Sequence, residues 1–120
     1  MAHHECELTG QLDSFLDHFD AEILRTSASA QAEDRADFTD GGARMAVRVY
    51  ERYSAMGGNR VSLNLSVLAV GEKLSVSAIT AGGSQAVFFK MNTFGEEAFL
   101  EKAVAAIGSF APAPEAPAAG

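Results

Sequence analysis

The sequence predicts an α+β fold in which one curved, antiparallel, five-stranded sheet is covered on one face by two helices. Three observations carry this. A long central stretch alternates apolar and polar residues and is broken only by glycine-bearing turns, the pattern of an antiparallel meander. A segment on either side of it repeats apolar residues at helical spacing. The chain has 120 residues, 48% hydrophobic and 21% charged, which suits a single core. A sheet with one apolar face must bury that face, and the two helices are the only cover available.

Taken in order, Cys6 and Leu8 alternate with Glu5, Glu7 and Thr9 as a short first strand, which Gly10 ends. Leu12, Phe15, Leu16, Phe19 and Ile23 then form the stripe of an amphipathic helix. Asp13 or Ser14 is placed to cap it, and Arg25 suits its C-terminal end. From about Ala28 to Met91 the chain reads as a meander of four strands. With Asp40-Gly41 as a two-residue turn, Asp37 lies opposite Arg44 and Glu33 opposite Arg48 on one face, while Ala36 meets Met45 and Ala32 meets Val49 on the other. A three-residue turn at Met56-Gly57-Gly58 sets Tyr53 against Val61, Val49 against Leu65 and Val47 against Val67. A two-residue loop there would mix the faces. Gly71-Glu72 as a tight turn pairs Ala69 with Leu74, Val67 with Val76 and Leu65 with Ala78 on the inner face. Gly82-Gly83 closes the last turn and sets Ala78 against Val87, Val76 against Phe89 and Leu74 against Met91.

Thr93 followed by Glu96 has capping-box spacing, which predicts a second helix from Phe94 with Phe99, Ala103, Ala106 or Ile107, and Phe110 facing the core. The domain is expected to span 1–110. Residues 111–120, alanine and proline with no large apolar group, read as a disordered tail.

The segments Tyr50-Glu-Arg-Tyr-Ser-Ala-Met-Gly-Gly-Asn-Arg-Val-Ser-Leu and Ala78-Ile-Thr-Ala-Gly-Gly-Ser-Gln-Ala-Val-Phe-Phe-Lys-Met-Asn-Thr-Phe-Gly-Glu-Glu carry a resemblance to a family. The chain resembles a family of short bacterial proteins known only as a domain of unknown function, from the first strand through the last helix. That resemblance implies domain boundaries, and no activity, cofactor or catalytic residue. The order of elements also resembles the TATA-binding-protein-like and helix-grip folds. By that analogy the first strand lies beside the last, giving the spatial order 1-5-4-3-2. The analogy does not extend to DNA binding, because fold does not fix function.

Nine Lys and Arg against 16 Asp and Glu give a net charge of −7, which argues against nucleic acid as a partner. Met1 to Gly10 lack the basic start and apolar run of a signal peptide, and no apolar stretch approaches the ~20 residues that cross a bilayer. The expectation is a soluble, cytoplasmic protein with no membrane partner. Cys6 is the single cysteine, so no disulfide forms within the chain.

Chemistry-bearing residues do not converge in the sequence. His3, His4, Glu5 and Cys6 invite a metal, but neighbours on a strand point to opposite faces, so no metal or other cofactor is expected. With the initiator Met removed, His4 stands third from a free amine, an arrangement able to chelate Cu(II) or Ni(II). His18 falls on the side of its helix away from the apolar stripe and is expected to be exposed. Cys6 reads as a small buried hydrophobe. The pairs Gly41-Gly42, Gly57-Gly58 and Gly82-Gly83 precede strands and are turn glycines, not a phosphate loop. No enzyme is expected.

The outer sheet face is the most informative feature. The meander register puts Arg44, Arg48, Tyr50 and Arg52 there, beside Ser62, Asn64, Ser66, Ser75 and Ser77, with Glu33 and Asp37 alongside. Leu68, Val70, Ile79 and Phe88 share that face by parity, more apolar surface than isolated residues on a monomer. This predicts a non-enzymatic interaction module that forms a homodimer through that face, with the arginines and Tyr50 at its rim. The alternative is a small apolar ligand held between the sheet and the C-terminal helix, lined by Ala32, Val49, Ala69, Ala78, Phe89 and Phe99.

Overall fold

The computed structural model describes residues 1–53, 60–82 and 89–111, of which 89–94 are described through their helical backbone alone. The elements run β1 (Ala2–Thr9), α1 (Leu12–Arg25), β2 (Gln31–Asp40), β3 (Ala43–Tyr53), β4 (Arg60–Val70), β5 (Lys73–Gly82) and α2 (Phe89–Gly108). The five strands form one antiparallel sheet in the order β1-β5-β4-β3-β2, the order that the resemblance to the helix-grip folds implies. Both helices pack on its inner face.

The core is built from the two periodicities. Along α1, Leu12, Phe15, Leu16, Phe19 and Ile23 are all buried. They meet alternate residues of β4 (Val61, Leu63, Leu65, Val67, Ala69) and β5 (Leu74, Val76, Ala78), together with Phe99, Ala103, Ala106 and Ile107 of α2. Phe110 closes one end, edge-on to Phe15 with ring centroids 5.3 Å apart. The predicted stripes of both helices are therefore the ones buried. The Gly71-Glu72 turn also holds: Gly71 has φ +62°, the left-handed value that a tight turn takes at its first residue, and Ala69↔Leu74, Val67↔Val76 and Leu65↔Ala78 pair as expected.

Elsewhere the structure corrects the sequence reading. The turn between β2 and β3 is Gly41-Gly42, so Asp37 pairs with Ala46 and Ala36 with Val47, and the pairing shifts again between Ala32 and Asp34. Gly41, with φ +60°, takes the strained first position. The larger correction is β3. Tyr53 pairs with Arg60, leaving six residues between the strands where a three-residue turn was expected; residues 54–59 lie outside the described ones. An even number of intervening residues in place of an odd one slips the register by one, and a slip of one exchanges the two faces of a strand. Tyr50 now pairs with Leu63 and Ala46 with Val67, so Arg44, Ala46, Arg48, Tyr50 and Arg52 face the helices while Met45, Val47 and Val49 face outward.

Packing explains why this register is stable. The Tyr50 ring is buried 5.8 Å from the Phe19 ring, and its hydroxyl donates to Asp20 Oδ1 at 2.9 Å. Arg44 donates two hydrogen bonds to Asp13, at 2.9 and 3.1 Å, and the Arg52 guanidinium lies 4.7 Å from the centre of the Phe99 ring. β3 runs beneath the margin of the helical layer, where an apolar stem with a polar tip is the side chain that fits.

The expected pairing of Phe89 with Val76 and of Met91 with Leu74 does not occur, and Val87, expected opposite Ala78, lies outside the described residues. His4, Cys6 and Leu8 of β1 pair with Ala78, Val76 and Leu74, and so occupy the edge at which Val87, Phe89 and Met91 were placed. With that edge taken, Phe89 and Met91 are helical, and α2 begins at Phe89 rather than Phe94. Thr93 therefore lies inside the helix. Glu96, predicted as a capping residue, is buried and accepts hydrogen bonds from Gly82 N–H at 2.6 Å and from the Met1 ammonium at 2.5 Å. At α1 the N-cap position is Gln11, without a side-chain cap; Asp13, expected as a cap, lies inside the first turn and is bonded to Arg44. His18, expected to be exposed, is half-buried against α2, its Nε2 3.1 Å from Ala106 O and 2.8 Å from Ser109 Oγ.

Candidate functional site

Two surfaces hold the sequence-predicted residues, and the β3 register decides which residue belongs to which. On the helix side, α1 and the β2-β3 hairpin enclose an open groove of about 460 Å³, lined by Asp13, Asp17, Asp20, Arg35, Arg48 and Tyr50 among others. Arg48, predicted for the outer face, lines it, and Arg44, predicted for the same face, is bonded to Asp13 at its margin. Their charges are largely satisfied within the chain. Arg48 contacts Asp37 at 3.0 Å, Arg35 contacts the same carboxylate at 3.1 Å, and Arg44 holds Asp13. The hydrogen bonds from Arg44 keep the Asp13 carboxyl below its ordinary range. Tyr50 is raised well above the usual tyrosine range by burial first and by the Asp20 carboxylate second, so its hydroxyl is a donor and not a base.

The outer face is the apolar one. The register writes it out in rows: Phe38, Met45, Leu68 and Ser75 lie side by side across β2, β3, β4 and β5, as do Asp40, Ala43, Val70 and Lys73. A third row is Ala36, Val47, Ser66 and Ser77, and a fourth is Asp34, Val49, Asn64 and Ile79. Phe38 is 62% exposed, Val70 54%, Leu68 44%, Met45 39% and Ile79 37%, and neither helix lies over them. A shallow depression of about 470 Å³ runs beside them, between Met45 and Leu68 on one flank and Glu5 and Glu7 on the other, above Ser75 and Ser77.

Of the predicted interface residues, the structure brings Leu68, Val70 and Ile79 together on the outer face and sends Arg44, Arg48, Tyr50 and Arg52 to the inner one. Phe88 lies outside the described residues. Sequence reasoning missed Phe38 and Met45. The signal for Phe38 was its position in β2, a strand exposed at nine of ten residues, where a phenylalanine has nothing of its own chain to bury against. Of the residues suggested for a ligand cavity, Ala69, Ala78 and Phe99 are buried in the core, Ala32 is exposed near the start of β2, and Val49 faces outward. Phe89 is the first residue of α2. In β1, His3 and Glu5 point outward while His4 and Cys6 point inward, so the four potential ligands do not share a face.

Comparison with known proteins adds a family. A family of unknown function, DUF6054, matches residues 1–111. The chain belongs to DUF6054. No curated protein and no solved structure matches it. Among the described residues the matched span takes in all five strands and both helices of this DUF6054 member, so sheet and helical cover fall within one family unit. Among the described residues no helix is long and apolar enough to cross a membrane.

Proposed function

We propose that this DUF6054 member is a non-enzymatic interaction module that self-associates through its outer sheet face. One observation carries the reading: Phe38, Met45, Leu68, Val70 and Ile79, five large apolar side chains, are exposed together on the sheet face that neither helix covers. Water contact over a contiguous apolar patch is unfavourable, and large patches of this kind mark interaction sites. The β3 register strengthens the case, because it removes four polar side chains from this face and supplies Met45, Val47 and Val49 instead. A second copy of the chain is the partner whose chemistry matches, since an apolar patch that also carries the uncharged Ser66, Ser75 and Ser77 fits its own kind when two sheets pack face to face.

Light scattering and native mass spectrometry of the wild type and of Leu68→Glu test this. A buried carboxylate at Leu68 is expected to weaken association roughly hundredfold, while circular dichroism stays native because Leu68 points away from the core. A wild type that stays monomeric at high concentration, or a Leu68→Glu variant of unchanged mass, overturns the proposal.

A further inference from the structure

The rows of the outer face also indicate how two copies meet, an inference that rests on the self-association reading above. We infer that the two-fold axis runs along the strands between β3 and β4, so that β2 of one copy lies over β5 of the other and β3 over β4.

With the strands of the two sheets aligned, two in-plane axes can bring the same sheet face against itself. An axis across the strands lays each strand on its own counterpart. That sets the outward carboxylates Glu5 and Glu7 of β1 against those of the second copy, like charge on like. An axis along the strands, between β3 and β4, reverses each row instead. The row Asp40, Ala43, Val70, Lys73 then meets itself as Lys73, Val70, Ala43, Asp40. Asp40 faces Lys73 of the second copy twice over, and Ala43 meets Val70. In the neighbouring row Met45 meets Leu68, and Phe38, the most exposed large side chain of the patch, stands over Ser75, where the depression lies. Projection and hollow are exchanged reciprocally.

Charge outside the overlap agrees. β1 has no counterpart in this arrangement, so Glu5 and Glu7 remain in solvent at the rim, where the exposed 3.4 Å contact of Glu7 with Lys73 leaves the ammonium free to be shared. The size also suffices. Four overlapping strands at ~4.8 Å spacing and ~30 Å length cover about 1,100 Å² counted over both copies, which reaches the size of a specific contact. Twist between the sheets rotates the rows by about 30° without changing which strands overlap at the centre.

The test is a pair of charge reversals, Asp40→Lys and Lys73→Asp, at two exposed residues outside the core. Each variant alone presents like charges at both contacts and is expected to dimerise roughly tenfold more weakly than the wild type. An equimolar mixture restores opposite charges at both contacts, and its affinity is expected to return to the wild-type value. Sedimentation equilibrium reads all three samples, with circular dichroism as a check of folding. If Leu68→Glu dissociates the dimer but the mixture recovers nothing, this axis is wrong and the sheet-face reading stands. If Leu68→Glu leaves the mass unchanged, both fall.

Discussion

Tyr50 gives the sharpest test of the β3 register, because the two registers put its phenol in different solvents. Facing inward, it is 1% exposed, packs on Phe19 and donates to Asp20. Burial and the neighbouring carboxylate hold its pKa well above the ordinary tyrosine range. In the unfolded chain the phenol ionises near pH 10. A group whose pKa is raised by folding contributes its full stability below the unfolded value and loses it as pH climbs above that value. The loss is about 1.4 kcal/mol for each pH unit, or about 2 kcal/mol by about pH 11.5. Tyr50→Phe has no proton to lose at this site. Urea unfolding of both proteins at about pH 8 and about pH 11.5 should show the variant losing about 2 kcal/mol less across that interval. The variant itself should start about 1 kcal/mol less stable at the lower pH, because the bond to Asp20 is gone. A second readout avoids unfolding energies: in a Tyr53→Phe background, the tyrosinate band should appear only as the native circular dichroism disappears. A tyrosinate band that develops near pH 10 in the folded protein, or equal losses in the two proteins, would refute the inward placement and with it the apolar outer face.

Two further predictions concern the frame that holds the face. Phe19→Ala empties a fully buried site between Phe15 and Tyr50 and should cost about 3–5 kcal/mol in denaturant unfolding; a loss below about 1 kcal/mol would mean that α1 does not pack as described. At the β2-β3 turn, Gly41→Ala should cost about 1 kcal/mol because its φ is +60°, whereas Gly42→Ala, with open space around it and no positive φ, should be neutral or slightly stabilising. Equal thermal shifts for the two would contradict the assigned turn.

The fold and the outer face differ in how much of each is legible in the sequence. The order of strands and helices along the chain, the buried stripes of both helices and the β4-β5 register follow from local pattern, because period and turn chemistry act over a few residues. The strand order within the sheet was instead implied by the resemblance to the helix-grip folds, and residues 89–91, read as strand, are helical. Leu68, Val70 and Ile79 were placed outward correctly for the same reason, since Gly71-Glu72 admits one register. β3 has apolar residues at both parities, with Ala46 and Tyr50 on one face and Met45, Val47 and Val49 on the other. Its pattern therefore supports either orientation, and the length of the connection to β4 chooses. The charge match of Asp37 with Arg44 was equally local and equally misleading, because the carboxylates that engage Arg44 and Tyr50 come from α1, some thirty residues away in sequence.

By itself, then, the sequence determined that this DUF6054 chain makes a five-stranded sheet with one face under two helices, since apolar periodicity states what must be buried. Tertiary structure alone decided what the uncovered face would carry. The residues that could satisfy the arginines, the Tyr50 hydroxyl and the free edge of β5 lie on α1 and β1, and only the folded chain brings them within reach. Once Asp13 and Asp20 of α1 draw Arg44 and Tyr50 inward, alternation along β3 turns Met45, Val47 and Val49 outward beside Leu68 and Phe38.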